Sequence, residues 1–139
     1  LMSKITADQR KTLKYRQIFM RDSYKCVYCG RDMIGDIDDW LSLEIDHLKP
    51  KAEGGTDNPE NLVTSCNVCN KMKSSYYPKG LITNDRPQNI ALINQHIQDK
   101  REDERTRWLK ALMQYDYYLN HDNEEVDYRD LEIARVLIK

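Results

Sequence analysis

Residues 43–73 read LEIDHLKPKAEGGTDNPENLVTSCNVCNKMK, and this stretch decides which fold we expect. Alternating apolar and polar residues from position 40 to 46 are typical of a half-buried strand, which would carry Asp46 and His47 at its end. The Gly- and Pro-containing residues 50–59 indicate a loop, and residues 62–63 can form a short returning strand. Residues 66–75 then predict a helix, so the order is strand, loop, strand and helix.

Two C-x-x-C pairs hold all four cysteines of the chain. Cys26 and Cys29 precede this stretch, and Cys66 and Cys69 lie within it. Two such pairs can converge on one tetrahedral ion, which predicts a structural zinc site. Two disulfides are the first alternative, and they are disfavoured because no secretory signal is visible. A thioredoxin-like redox pair is the second, but it does not explain why the pair occurs twice. Four thiolates leave no open position on zinc, so the catalyst must lie elsewhere.

The region before the first cysteine pair predicts a helix over residues 7–21. Thr6 and Gln9 have the spacing of a capping box at its start, and Leu13, Ile18 and Phe19 are expected to face a core. Residues 4–32 hold eight basic residues against three acidic ones, although the whole chain has a formal net charge of -1. This basic end is either a surface that faces phosphates or a solvated helix face.

After Pro87 the pattern changes to long helical segments with two apolar stripes. The first stripe comprises Ile90, Ile93 and Ile97, and the second comprises Trp108, Leu112, Tyr115 and Leu119. Polar residues 98–107 separate them, so the region is either one long helix or two. A further helix around residues 130–138 has no C-terminal cap, as if the chain continued in a longer protein. We divide the chain into a domain over 1–83 and a helical extension over 84–139, packed on the core or used for association.

The order and spacing of these motif residues resemble those of the HNH endonuclease family, in the branch whose motif lies between paired cysteine knuckles. The resemblance covers about residues 20–78 and rests on an acidic residue before a histidine, a double glycine, an asparagine and both cysteine pairs. It implies an α+β fold with a ββα-metal (His-Me finger) core and a four-cysteine zinc site. Helices are then expected on both flanks of this core.

The resemblance also implies the roles of the site residues. His47 would be the general base, Asp46 and Asn70 would bind the catalytic metal ion, and Asn61 would brace the loop and orient His47. The third signature position is often histidine in this family, and Asn70 in its place favours Mg²⁺ or Mn²⁺, which prefer oxygen ligands. Substrate phosphates would be contacted by lysines near the motif, namely Lys73, Lys71 and Lys49.

Part of this chemistry follows from the residues themselves. Phosphodiester hydrolysis needs a deprotonated water and a Lewis acid, and a neutral imidazole suits the role of base near neutral pH. Side chains of neighbouring residues in a strand point to opposite sides, so Asp46 can bind a metal while His47 faces the water. Glu44 is left out of the catalytic set because it could equally pair with a lysine. His96 and His121 are expected to be surface or packing residues.

The sequence therefore predicts a metal-dependent DNA endonuclease that nicks as a monomer or associates as a homodimer through its C-terminal helices. The main alternative is a non-catalytic zinc module that binds nucleic acid or a protein partner. No apolar run long enough for a membrane span occurs, so we expect an intracellular, cytoplasmic protein, for which a phage genome is one conceivable source.

Overall fold

The computed structural model describes residues 5–79 and 84–121, and its contacts divide the chain into two units between Ile97 and Gln98. The expected domain boundary after residue 83 lies outside the described residues. The helices and strands of the described residues are, in chain order, α1 (Ala7–Arg21), α2 (Ile37–Leu41), β1 (Leu43–His47), β2 (Leu62–Cys66), α3 (Asn67–Lys73) and α4 (Arg86–Asn120). Two short 3₁₀ turns, Lys51–Glu53 and Pro59–Asn61, lie in the loop between the strands.

Helix α1 has the predicted bounds, and the predicted capping box forms at its start. The Thr6 hydroxyl accepts a hydrogen bond from the Gln9 N–H at 3.1 Å, and the Gln9 side chain accepts one from the Thr6 N–H at 2.8 Å. Ile18 is buried as expected, whereas Leu13 is 46% exposed, so its predicted core position is wrong. The reason is that the C-terminal end of α1 is the part attached to β2. There the Arg21 guanidinium donates to the Leu62 carbonyl at 2.6 Å.

Strands β1 and β2 form an antiparallel pair, with Leu43 opposite Cys66 and His47 opposite Leu62. The predicted strand began at residue 40, but β1 begins at Leu43 because residues 37–41 form the short helix α2 instead. The Asp36 carboxylate caps α2 by accepting a hydrogen bond from the Asp38 N–H at 2.8 Å. Local capping therefore overrides the alternating pattern at the start of this segment.

The loop between the strands closes on itself at the double glycine. Gly54 has a φ of +90°, a left-handed conformation that glycine adopts without steric cost. A Cβ on Gly55 would lie only 1.7 Å from the Lys49 carbonyl oxygen. No larger residue fits at position 55 without a backbone shift, so the loop depends on both glycines for different reasons.

The core of the first unit lies between the hairpin, the first cysteine pair and the start of α4. Its buried side chains include Tyr28, Met33, Val63, Ile93 and Ile97, so the first apolar stripe of the C-terminal region packs in the core. The α+β class with a two-stranded hairpin followed by a helix is as predicted.

Within the described part of the C-terminal region, where the sequence allowed one helix or two, α4 is a single helix that continues through the polar residues 98–107. In the second unit the apolar stripe that begins at Trp108 and ends at Leu119 is exposed. The helix expected around residues 130–138 lies outside the described residues. Among the helices that are described, none combines the length and apolar character needed to cross a bilayer.

Candidate metal centre and active site

The four cysteines meet at one point of the structure. Their Sγ atoms all lie within 4.8 Å of one another, and those of Cys29 and Cys66 are 3.9 Å apart. A tetrahedron with zinc–sulfur bonds of about 2.3 Å has edges of about 3.8 Å, so this spacing fits a single tetrahedral ion. Cys26, Cys66 and Cys69 are buried, and Cys29 is exposed. The four cysteines are therefore positioned to form a metal site with four sulfur ligands.

Local backbone geometry brings each pair of cysteines into position. In the first pair, Gly30 has a φ of +75° and its N–H donates to the Cys26 carbonyl at 2.8 Å, which closes the turn. In the second pair, Cys66 is the N-cap of α3, and its sulfur accepts a hydrogen bond from the Cys69 N–H at 3.4 Å. The second half of the metal site is therefore part of the helix start itself.

The thiols influence each other's ionisation because they are so close. Hydrogen bonds from Cys66 and Cys69 lower the pKa of Cys26 well below its usual range. Burial and the neighbouring sulfurs raise the pKa of Cys29 to about 11, and the hydrogen bond to Cys26 raises that of Cys69. Four adjacent thiolates repel one another unless a cation balances their charge, as a bound metal ion does.

Asp46 lies in a buried polar cluster at the end of β1. Its Oδ1 is 3.2 Å from Lys73 Nζ, and its Oδ2 accepts a hydrogen bond from the Tyr28 hydroxyl at 2.5 Å. Burial raises the pKa of the Asp46 carboxyl, although Lys73 and Tyr28 act in the opposite direction. Burial and the neighbouring Asp46 also raise the pKa of Tyr28, which keeps this hydroxyl protonated as a donor. Tyr28 lies between the first two cysteines, so the metal knuckle and Asp46 are directly connected.

Lys73 is 1% exposed, and its ammonium donates to Asp46 and to the His47 carbonyl, the latter at 2.7 Å. The sequence predicted that Lys73 contacts substrate phosphates. In the structure its side chain is instead buried against Asp46 and the His47 carbonyl, away from solvent. Lys71 is exposed on α3. Lys49 is half-buried, with its ammonium 5.8 Å from the centre of the Tyr77 ring.

Asn70 lies one turn before Lys73 on α3 and contacts β1 at a different residue. Its side-chain nitrogen donates to Glu44 Oε2 at 2.6 Å. Glu44 and Asp46 lie two residues apart on β1 and therefore point to the same face of the strand. Helix α3 thus pairs Asn70 with Glu44 and Lys73 with Asp46, so Glu44 shares this face of β1 with Asp46, a predicted metal ligand.

His47 is at the edge of the site, with 22% of its side chain exposed. Its Nε2 is 2.8 Å from Asp57 Oδ1, and Lys51 Nζ is 3.3 Å from the same oxygen. Hydrogen bonds from His47 and Lys51 lower the pKa of Asp57, so its carboxylate accepts while His47 Nε2–H donates. His47 is therefore held by an acidic residue of the loop.

Asn61 holds the loop that follows His47. Its side-chain oxygen accepts from the Lys49 N–H at 2.9 Å, and its side-chain nitrogen donates to the carbonyls of Lys49 at 3.1 Å and Thr56 at 2.8 Å. The Leu48 N–H donates to the Asn61 carbonyl at 2.8 Å. Three of these bonds join the two ends of the loop that follows His47, and the bond to Thr56 holds the middle of that loop.

Sequence reasoning missed three residues of this site. The position of Glu44, two residues before Asp46, was a signal for a shared strand face, but it does not reveal Asn70 as the partner. Asp57 and Tyr28 had no such signal, because their contacts with His47 and Asp46 join residues that are ten or more positions apart. His96 and His121 lie outside the site and stack on Tyr76 and Tyr117, respectively.

Comparison with known families adds one finding, a match of residues 26–75 to the family model described as HNH endonuclease. We call these matched residues the HNH domain. The match includes both cysteine pairs, the hairpin and α3, while α1 and α4 lie outside it. The hairpin, the following helix and the clustered cysteines agree with the ββα-metal core of this family. No curated protein and no solved structure matches the chain significantly.

Proposed function

We propose that this protein is a metal-dependent DNA endonuclease whose HNH domain hydrolyses phosphodiester bonds with His47 as general base. The observation that carries the proposal is the position of His47 within the HNH match. Its ring is partly exposed, it is hydrogen-bonded to Asp57, and it is adjacent in sequence to the polar cluster around Asp46. The four cysteines would hold structural zinc, which fixes the start of α3 and hence Asn70.

The residues beside His47 have the chemistry of a site for Mg²⁺ or Mn²⁺. Asp46 and Glu44 offer carboxylate oxygens on one face of β1, and Asn70 turns its amide nitrogen toward Glu44, so its side-chain oxygen is left as a ligand. The bonds from Tyr28 and Lys73 use only part of the accepting capacity of Asp46. When bound, the ion would supply Lewis acidity at the phosphate and at the leaving oxygen.

His47 would remove the proton from the attacking water. The Asp57 carboxylate accepts from Nε2–H, and this contact favours the tautomer in which Nδ1 carries the lone pair. The Nδ1 atom would therefore be the base, with Asp57 stabilising the charged ring as the proton arrives. Asn61 would keep His47 in place through its bonds to Lys49, at the start of the loop, and to Thr56 within it.

The remaining polar residues would position the reacting groups and the substrate. Lys73 and Tyr28 hold the Asp46 carboxylate from behind, so in our proposal they orient it. Lys71 and Lys49 would contact substrate phosphates, and binding mainly through phosphates makes affinity salt-dependent with limited sequence readout. One such site per chain would nick one strand in each binding event.

A plasmid-nicking assay with Mg²⁺ or Mn²⁺ tests this proposal. We expect the zinc-loaded protein to convert supercoiled to nicked DNA and His47→Ala to lose about 10²–10⁴-fold in rate, the usual contribution of a general base. His121→Ala is the matched control, because this exposed histidine lies at the end of α4 and should leave the rate unchanged. Equal rates for wild type and His47→Ala would remove His47 from its role.

The competing function is a zinc module that binds nucleic acid or protein without cleaving it. The buried bonds of Asp46 to Lys73 and Tyr28 are compatible with it, since such an ion pair can also be purely structural. The same assay separates the two functions. A folded, zinc-loaded wild type that binds DNA and does not nick it with either metal ion would favour the non-catalytic module.

A further inference from the structure

A second polar surface lies beside the HNH domain, where α1 faces the loop after His47. It forms a cavity of about 310 Å³ whose lining residues are Arg10, Lys11, Lys14, Tyr15, Lys51 and Asp57. Four of these six residues are basic, and three of the four come from α1. We call this surface the basic groove. Because α1 precedes the family match, the side of the groove that α1 forms lies outside the HNH domain, whereas Lys51 and Asp57 belong to it.

The basic groove is connected to His47 through Asp57. The Asp57 carboxylate contacts both His47 and Lys51, and the ammonium of Lys14 donates a hydrogen bond to the Asp57 backbone carbonyl. Lys14 thereby joins α1 to the loop that orients the histidine. The groove therefore begins at the residue that contacts the proposed base, and its cations extend from there along α1.

The charge of the groove indicates what it would bind. Asp57 is the acidic residue among those that line it, and its carboxylate is engaged by His47 and Lys51. Arg10 and Lys11 are exposed, and neither forms an ion pair with Asp57. The Lys11 ammonium lies 5.4 Å from the centre of the Tyr15 ring, which also lines the groove. An excess of cations in a concave surface attracts an extended anion, and contacts with a nucleic-acid backbone are made mainly by such side chains.

We propose that the basic groove binds backbone phosphates of a DNA strand next to the phosphate that His47 would cleave. This inference rests on the proposed function, since it takes the position of the scissile phosphate from the position of His47. The groove extends the phosphate contacts of Lys71 and Lys49 to α1. Arg10 and Lys11 supply the outer contacts, while Lys14 and Lys51 also hold the loop.

The test measures DNA binding by zinc-loaded wild-type protein without added Mg²⁺ or Mn²⁺, so that the DNA is not cleaved and His47 still engages Asp57. A labelled duplex DNA is titrated with protein at several salt concentrations, and binding is followed by fluorescence anisotropy. Arg10→Gln with Lys11→Gln removes the two outer cations and leaves Lys14 and the loop intact. The matched control is Arg16→Gln with Lys25→Gln, which removes two exposed cations that do not line the groove.

Each lost phosphate contact lowers the slope of log affinity against log salt by about 0.9, so the groove variant should lose about 1.8 from the slope. Its affinity should fall accordingly, and the control should keep the parent slope. An unchanged slope in the groove variant, an equal fall in the control, or no duplex binding by the parent protein would each overturn the proposal. Circular dichroism of all variants verifies that they are folded.

Failure of this inference is distinguishable from failure of the proposed function, because binding is measured without Mg²⁺ or Mn²⁺ and nicking is measured with one of these ions. If wild type nicks plasmid while the groove variant binds with the parent slope, the nuclease stands and the groove is rejected. If wild type does not nick and the groove variant loses slope, the groove remains a DNA-binding surface and the nuclease is rejected.

Discussion

Replacing Tyr28 by phenylalanine removes a single hydroxyl from the contact between the metal knuckle and Asp46. The hydroxyl is 2.5 Å from Asp46 Oδ2, and both side chains are buried. Hydrogen bonds to charged groups contribute about 1.5–3 kcal/mol to stability, and a buried carboxylate that loses its donor cannot be solvated instead. We therefore expect Tyr28→Phe to lower the free energy of unfolding by about 2 kcal/mol, or about 30-fold in the folding equilibrium.

Urea denaturation of the zinc-loaded protein near neutral pH measures this loss. Tyr24→Phe is the matched control, because Tyr24 is half-buried and contacts Phe19 and Trp40 through its ring, while its hydroxyl has no hydrogen bond within the described residues. The control should lose far less stability. If both variants lose the same amount, the hydroxyl does not hold Asp46, and the connection between metal knuckle and active site is refuted.

The same variant distinguishes a positioning role for Tyr28 from a purely structural one. Below the urea concentration at which Tyr28→Phe unfolds, DNA affinity should match that of wild type, while single-turnover nicking should be slower, since only the orientation of Asp46 has changed. Nicking at the wild-type rate in this folded variant would limit Tyr28 to stability.

Three further changes test other contacts. Removing the metal with a chelator should unfold the HNH domain by circular dichroism, and about one zinc per chain should restore it; a chain that stays folded without metal would contradict the structural role of the four cysteines. Lys73→Met leaves the Asp46 carboxylate buried without its cation and should lower the free energy of unfolding in urea by about 3–5 kcal/mol. Adding Asp46→Asn should recover part of this loss, whereas a loss under about 1 kcal/mol for Lys73→Met would show that the ion pair contributes little. Gly55→Ala forces a Cβ onto the Lys49 carbonyl and should destabilise the protein far more than Gly30→Ala, whose positive φ costs only about 1 kcal/mol. Equal thermal denaturation midpoints for the two variants would refute the close contact between residue 55 and the Lys49 carbonyl.

The sequence alone determined the features that depend on neighbouring residues. The capping box at Thr6 set the start of α1, and the two C-x-x-C spacings predicted the metal site. The order of strand, loop, strand and helix followed from the motif between the cysteines. These features could be read because their determining interactions span only a few residues, or because the ligand spacing of one ion is chemically narrow.

Only the tertiary structure decided which side chains meet and which are buried. Lys73 looks like a surface lysine in sequence, but the packing of α3 on β1 buries it against Asp46. The contacts of Asn70 with Glu44 and of His47 with Asp57 likewise depend on where a helix or a loop lies relative to the end of a strand. Such pairings are set by the register and packing of elements far apart along the chain, and local sequence patterns carry no record of them.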